Sequence, residues 1–404
     1  MSRMIIIGGG QAGFSISYKL RSMGFRGPIE IIAAENYLPY QRPPLSKKFL
    51  KGEVPRERLF FKPDIFYKEN NISIKLGVRV ENIDRSSCSV YCDDGTRLNY
   101  KKLFLTTGSV PRQFPDNLGG SLRKNYYVRS LYDIDALSDE FKPGKRVLII
   151  GGGYIGLEMA AAAREKNLEV TLVEVEERIL KRVASSNTAN YFRVLHENHG
   201  VKIIEGRSIL RLIEKSGKFV GALLDDGTQV SADFSIIGIG AKPNTKLAEL
   251  CGLKSNNGIW VDRFCQTSDA NILAAGDCTN FPFRLGRMRL ESVGNAIEQA
   301  HVAAMTALGH KEKYNPKPWF WSDQYKTKLQ IAGLSSAYDQ IVERKKNDSL
   351  SIWYYKEEKL IAVDAINDAK AYMVGKRLIE LEKSPEIIRL VDTMVDLKSL
   401  LKSV

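Results

Sequence analysis

No Cys-x-x-Cys pair occurs in the 404-residue chain, and its five cysteines, Cys88, Cys92, Cys251, Cys265 and Cys278, are scattered and odd in number. A redox dithiol is thereby excluded, and a disulfide framework is not expected. The cysteines also lack the spacing of a ferredoxin or Rieske cluster, and no Cys-x-x-Cys-His haem site exists. No Ser-His-Asp arrangement stands out. No apolar run approaches the roughly 20 residues that cross a bilayer. The opening run Met4-Ile5-Ile6-Ile7 is too short for a signal-peptide core, and no cleavage pattern follows it. The expectation is a cytoplasmic protein with no membrane partner. Acidic residues are outnumbered, 47 against 60 Lys and Arg, for a formal charge of +13. That excess suits an acidic partner, an anionic surface or no partner at all.

What the chain does have is a repeat. Met4-Ile5-Ile6-Ile7 reads as a strand, Gly8-Gly9-Gly10-Gln11-Ala12-Gly13 as a turn, and the residues through Leu20 as an amphipathic helix. Val147-Leu148-Ile149-Ile150 followed by Gly151-Gly152-Gly153-Tyr154-Ile155-Gly156 repeats the layout, with an alanine-rich helix after it. Each copy continues to a second strand ending in an acid, at Glu35 and at Glu174. Each then carries a hairpin signal, Asp93-Asp94-Gly95-Thr96 and Asp225-Asp226-Gly227-Thr228. Apolar strands closed by glycine follow, ending Thr106-Thr107-Gly108 and Gly238-Ile239-Gly240. Two copies imply two similar α/β domains.

Beyond Gly240 the layout changes. Ile272-Leu273-Ala274-Ala275-Gly276-Asp277 reads as a strand ending in an acid, and about Val293 to Leu308 as a helix. Pro316 and Pro318 punctuate the chain, and Leu350 to Tyr355 and Leu360 to Ala365 alternate like antiparallel strands. About Pro385 to Leu401 reads as a terminal helix. The expected domains are 1–108 with 241–317, then 109–240, then an α+β domain over 318–404.

A lone Gly-x-Gly-x-x-Gly is a weak signal, because most glycine-rich turns bind nothing. Here both copies stand between a strand and a helix, with an acid further on. Such a turn lets the backbone approach a pyrophosphate, and the helix N-terminus stabilises its charge. Glu174 would accept hydrogen bonds from ribose hydroxyls and repel a 2′-phosphate, which favours NADH over NADPH. Arg178 stands close enough in sequence to weaken that preference. Glu35 has the same expected role towards the adenosine ribose of the other dinucleotide. His196 and His199 precede Gly200 at the end of a helical run. They read as residues stabilised by the helix dipole rather than as ligands, and no metal is expected.

The stiff segment Leu38-Pro39-Tyr40-Gln41-Arg42-Pro43-Pro44-Leu45-Ser46-Lys47, together with Glu158 and Pro318-Trp319-Phe320-Trp321-Ser322-Asp323-Gln324-Tyr325, points to a family. The whole chain resembles the pyridine-nucleotide ferredoxin reductases that serve bacterial haem-thiolate monooxygenases and Rieske-type aromatic-ring dioxygenases. The implied fold is α/β and glutathione reductase-like, with two Rossmann-type dinucleotide-binding domains and a C-terminal α+β domain. The resemblance implies FAD and NAD as cofactors. It places Gly8, Gly10 and Gly13 on the FAD pyrophosphate, and Arg42 and Lys47 along the flavin, with Lys47 near N5 and paired to Glu158. Arg129 would reach the FAD phosphates and Asp277 the ribityl chain. The helix from Val293 would direct its positive end at the flavin pyrimidine, and Trp321 would lie beside the isoalloxazine. Gly151, Gly153, Ile155 and Gly156 would form the NADH turn, with Tyr154 near the nicotinamide or simply packed in the core. Thr107, Gly108 and Gly240 close the strands beside the two turns and complete the cofactor-binding set. The sequence departs from the family's usual pattern at Thr106, Gly294 and Lys326. Gly294 in particular is expected to loosen the start of its helix.

Hydride transfer needs proximity and water exclusion, not a general base. With no dithiol, internal cluster or haem site in the sequence, electrons are expected to leave for a separate carrier, an acidic iron–sulfur ferredoxin. Arg284, Arg287, Arg289, Lys326 and Lys328 are candidate docking residues. Rubredoxin reductase and NADH oxidase are the close alternatives. An apoptosis-inducing-factor-like binding flavoprotein is the alternative of another class, though no long basic insertion supports nucleic-acid binding. Both a monomer and a homodimer fit the sequence.

Overall fold

The computed structural model describes residues 3–402. The chain divides into two compact units. The first comprises residues 1–42, 55–110 and 241–318, and the second residues 43–54, 111–240 and 319–404.

Unit one is built on a parallel five-stranded sheet. Its strands are β1 (Met4–Ile7), β2 (Ile29–Ala33), β3 (Ile72–Leu76), β4 (Lys102–Leu105) and, far along the chain, Ile272–Ala274. Across the sheet they run Ile272–Ala274, β4, β1, β2, β3. Helix α1 (Gln11–Ser22) follows β1. All but the edge strand β3, where only Ile72 is buried, are near-continuous apolar runs because both faces are covered, as in other parallel sheets.

Unit two repeats that order. Its parallel sheet runs Val201–Glu205, Glu169–Glu174, Arg146–Ile150, Phe234–Ile237, Asn125–Tyr126. Strand by strand, Arg146–Ile150 stands where β1 does and Phe234–Ile237 where β4 does. Helices α2 (Leu131–Ser138), α3 (Tyr154–Glu165) and α4 (Ser186–Asn198) belong to this region. The two hairpin signals are also realised alike. Each Asp-Gly-Thr turn has glycine at positive φ, +80° at Gly95 and +84° at Gly227. In each, an aspartate carboxylate accepts from the threonine amide, Asp94 from Thr96 and Asp226 from Thr228, both at 2.9 Å.

Helix α5 (Val293–Ala307) packs against α1 in unit one. The C-terminal part of unit two is an antiparallel five-stranded sheet with strand order Trp319–Gln324, Thr327–Gly333, Lys359–Ile366, Ser349–Lys356, Gln340–Lys346. One face, through Leu329, Ile331, Ile352 and Tyr354, joins the core beneath α3 and α4. The other, through Trp353, Tyr355 and Val363, packs on helix α6 (Ala369–Glu380). The single terminal helix expected over 385–401 is broken into Ile387–Val391 and a 3-10 turn, Leu397–Leu401. The buried Arg344 explains the break. Its guanidinium donates to the carbonyls of Leu390, Asp392 and Val395 at 2.6–2.8 Å, and so removes those acceptors from a helical ladder.

Candidate functional site

Among the described helices of eight residues or more, the N-terminal ends set the two glycine turns apart. Four of the six helices α1 to α6 start under a side-chain cap, supplied by Ser130, Ser185, Ser292 and Asp368. The other two, α1 and α3, start at Gly10 and Gly153 with no side-chain cap and no acid in the first turn. A helix N-terminus leaves amide donors without intrahelical partners, and these two leave theirs to an incoming anion.

The glycines around each bare end divide the work in the same way. Gly8 and Gly151 take positive φ, +118° and +106°. A Cβ there would strike the Thr106 carbonyl oxygen at 2.3 Å or the Gly238 carbonyl oxygen at 2.5 Å. A Cβ on Gly13 or Gly156 would lie 2.0 Å from the carbonyl oxygen of Gly8 or Gly151. Gly10 and Gly153 are different, since a Cβ there meets nothing within 4 Å. Two glycines per turn thus close the fold, and the third faces open space where a phosphate fits. Both turns fit a dinucleotide pyrophosphate. Gly238, absent from the sequence-derived set, supplies through its backbone carbonyl the close approach to Gly151, while a Cβ on Gly238 itself would meet nothing nearer than 3.7 Å. Its place in the repeat, opposite Thr106, was the available signal.

The two acids are held differently. Glu35 accepts from Tyr40 Oη at 2.6 Å and from Arg42 at 2.5 Å. Arg42, expected along the flavin, is thus partly engaged by the acid beside the first turn. Glu174 instead accepts from backbone amides, Gly152 at 2.6 Å and Glu176 at 2.9 Å. A carboxylate has about four lone-pair sites, so both acids can still accept from ribose hydroxyls. Arg178 donates to the carbonyls of Ile179, Ala184 and Ser185, which binds it to its own loop.

Asp277 follows the Ile272–Ala274 strand and accepts from Ser109 at 3.1 Å. Beside it, Gly276 adopts φ +87°, and a Cβ there would reach within 3.2 Å of the Ala12 Cβ, which brings α1 close to this turn. Thr107 donates to the Asn244 carbonyl at 2.6 Å, and Gly108 accepts from the Asn244 amide at 2.9 Å. The Thr106 hydroxyl is satisfied by the Ile7 carbonyl at 2.9 Å. Val293 opens α5 under the Ser292 cap, with Gly294 buried in the first turn. Gly240 takes φ +103°. Arg129 belongs to unit two, where its amide donates to Asp133 at the capped start of α2.

Unit two also holds the one close pairing that the resemblance implied. Lys47 Nζ lies 2.7 Å from Glu158 Oε2, with the side chains only 13% and 3% exposed. Such burial makes the pair costly to break. The same carboxylate accepts from Ser46 at 2.5 Å on Oε2 and from Ser322 at 2.7 Å on Oε1. Neither serine was in the sequence-derived set. Along Trp319–Gln324 the side chains alternate. Phe320, Ser322 and Gln324 face α3 and α4, with Phe320 4.7 Å from the Tyr154 ring. Trp319 and Trp321 stack on each other at 5.5 Å, and Lys376 lies over Trp319. Tyr154 is partly buried, and burial raises the pKa of its phenol well above the ordinary value. The adjacent Ile155 is exposed beside the bare helix end.

His196 is fully buried, and burial pushes its pKa down to about 4. It is therefore neutral near pH 7 and supports no helix dipole as a cation, contrary to the sequence expectation. Among the described residues no cluster of three or more His, Cys, Asp or Glu could hold a metal. None of the described helices is long and apolar enough to cross a membrane. Of the basic candidates, Arg287 donates to backbone carbonyls and covers Trp260, and Arg289 pairs with Glu291. Arg284, Lys326 and Lys328 are exposed.

The pyridine nucleotide-disulphide oxidoreductase family model matches residues 2–307, and a reductase C-terminal model matches residues 319–401. The chain is 38% identical to rhodocoxin reductase of Rhodococcus erythropolis, over 98% of this chain and 93% of that protein. It is 36% identical to putidaredoxin reductase of Pseudomonas putida, over 98% and 96%. The solved covalent complex of putidaredoxin reductase with putidaredoxin superposes with a TM-score of 0.96 at 35% identity, covering 100% of this chain and 98% of that one. With both dinucleotide turns in place, the chain belongs to the pyridine nucleotide-disulphide oxidoreductase family, as an oxidoreductase of pyridine nucleotides.

Proposed function

We propose that the chain is an FAD-dependent NADH:ferredoxin reductase. The observation that carries the reading is the pair of uncapped, glycine-opened helices in one chain, with the buried Lys47–Glu158 pair beneath one of them. In this reading residues 1–108 and 241–317 hold FAD, 109–240 take NADH, and 318–404 form the C-terminal domain. Gly8, Gly10 and Gly13 hold the FAD pyrophosphate, with Glu35 on the adenosine ribose, Asp277 on the ribityl chain, and Arg42, Thr107, Gly108 and Arg129 completing the site. Gly151, Gly153, Ile155, Gly156 and Gly240 form the NADH site, bordered by Tyr154. Glu174 accepts from the nicotinamide dinucleotide's ribose, and the engagement of Arg178 by carbonyls supports NADH over NADPH.

FAD, when bound, accepts a hydride and releases electrons singly. Lys47, oriented by Glu158, would supply a fixed positive charge towards the flavin. Trp321 would line the isoalloxazine, and the start of α5 at Val293 would offer it a positive helix end. The electrons would pass to a separate acidic iron–sulfur ferredoxin, a reading supported by the likeness to reductases named for the separate proteins rhodocoxin and putidaredoxin. Arg284, Lys326 and Lys328 contribute to its docking. The protein works in the cytoplasm.

The test is NADH-driven reduction of a purified two-iron ferredoxin, compared with rubredoxin, oxygen and NADPH. Fast ferredoxin turnover that slows as salt rises is expected. Faster turnover with rubredoxin or oxygen, or salt-independent rates, would sink the reading.

A further inference from the structure

Glu158 does more than face Lys47. A run of buried side chains, ending at the half-buried Tyr325, leads away from its other oxygen: Ser322 at 2.7 Å, Gln324 at 3.1 Å from Ser322, His196 at 2.8 Å from Gln324, and Tyr325 at 3.3 Å from His196. Ser322, Gln324 and His196 are fully buried, so water cannot complete what these groups leave unmade.

The direction of the first three bonds in this run follows from one fact. An ionised carboxylate only accepts. Ser322 must therefore donate its single hydroxyl proton to Glu158. Its oxygen is then an acceptor, so Gln324 must present its amide nitrogen. That turns the Gln324 carbonyl to His196, which must carry its proton on Nε2. In the neutral ring that burial favours, Nδ1 is bare and accepts from the Tyr325 hydroxyl. All four donors point towards Glu158, and Lys47 and Ser46 donate from the other side.

We infer that Tyr325, His196, Gln324 and Ser322 form a one-way donor chain that holds Glu158 in place for Lys47, with His196 a positioning residue locked as the neutral Nε2–H tautomer. The depressed pKa of His196 agrees, since burial disfavours a second, charging ring proton. The groups facing His196 are few. Gln324 and Tyr325 approach from the β-hairpin and His199 from its own helix, while Arg164 and Glu165 of α3 act on Tyr325. His199 stacks on Tyr325 at 3.7 Å and fixes the chain's outer end. Removing the His196 donor would free Gln324 to rotate, and Ser322 could then turn its proton away from Glu158. The loss is felt at Lys47, three side chains distant.

The consequence for the flavin rests on the proposed function, but the tautomer does not. Nitrogen-15 NMR of the holoenzyme reads the tautomer directly, with only four histidines to assign. His196 is expected as Nε2–H from pH 8 down to about pH 5. An Nδ1–H ring, or titration near the ordinary value, overturns the inference without any variant. His196→Met should slow the single-turnover reduction of flavin by NADH by about 3- to 10-fold, with the NADH Kd unchanged and the flavin midpoint potential lowered. His196→Gln keeps an N–H at the same reach and should restore both. Unchanged rate and potential in His196→Met refute the positioning role. If wild-type protein carries the Nε2–H tautomer yet shows no NADH-dependent flavin reduction, the functional reading fails while the donor chain stands.

Discussion

The two dinucleotide folds share a backbone and differ in how they hold an acid. In each, a strand ends in a glycine at positive φ, a bare helix begins, and a later glycine meets the first at 2.0 Å from its would-be Cβ. Beside the first turn Glu35 is neutralised by Arg42 and anchored by Tyr40. Beside the second Glu174 is held by two backbone amides. The anion cradle is a property of backbone geometry and was kept in both copies. The acid is a side chain, and its surroundings were free to diverge. A cation-neutralised acid suits a tightly kept ligand, whereas a backbone-held carboxylate suits one read by its ribose and released.

The comparison breaks most completely at the glycines. Gly13→Val and Gly156→Val each force a side chain into a carbonyl oxygen, at a cost of about 3 kcal/mol or more. Gly13→Val should yield protein without its yellow flavin absorbance. Gly156→Val should keep the flavin and raise the NADH KM by about 100-fold or more. If both variants lose flavin equally, the division of labour between the turns is wrong.

Next in size is the buried pair that only the second unit carries. Glu158→Gln leaves Lys47 as a largely buried cation with no counter-charge, a change worth about 3–5 kcal/mol where it cannot relax. Flavin reduction by NADH should slow by about 100-fold in stopped flow, with flavin content intact. A rate within twofold of wild type would remove Glu158 from the mechanism.

A smaller effect is expected at the acids themselves. Glu174→Gln removes a charged acceptor worth about 1.5–3 kcal/mol, so the NADH KM should rise by about tenfold and the preference over NADPH should narrow. Glu35→Gln leaves Arg42 and Tyr40 in place, and flavin should be retained through purification. Steady-state kinetics with both nucleotides, and flavin content after dialysis, decide whether the two acids are unequal as proposed.

How far these sites were legible in sequence follows from how local their causes are. The glycine turns and both Asp-Gly-Thr hairpins were legible, because positive φ and a short side-chain bond are set within a few residues. Two of the five antiparallel strands of the C-terminal sheet, about Leu350 to Tyr355 and Leu360 to Ala365, were legible from alternation. The Lys47–Glu158 pair was reached only through a family resemblance, since nothing in either residue's neighbourhood specifies a partner over a hundred positions away. Ser46, Ser322, Gln324 and His196 were missed for the same reason. The break in the terminal helix was invisible because its cause, Arg344, sits on a strand some 50 residues earlier in the chain.

The smallest expected effect lies in acid stability, where the two units should differ in sign pattern. In unit one the half-buried His301 has its pKa lowered by burial and by Lys19. An unfolded histidine takes up its proton near pH 6.5 while the folded one resists, so this group costs stability as pH falls. Unit two has a similar group in His196, lowered to about 4, which costs stability between pH 6.5 and 4. It also has an opposing one. Asp364 is buried, accepts from Thr188 at 2.7 Å and Tyr354 at 2.5 Å, and burial raises its pKa to about 6. Folded Asp364 takes up a proton before the unfolded residue does, so its contribution to stability grows as pH falls from 6 to about 4. The two nearly cancel, and the wild-type slope from this pair should stay below about 1 kcal/mol across the window. Single variants expose each half. Asp364→Asn should make Tm fall more steeply than wild type between pH 6.5 and 4.5, and His196→Gln should make it fall less steeply. Parallel Tm curves for all three proteins would show that neither buried group titrates as its surroundings imply.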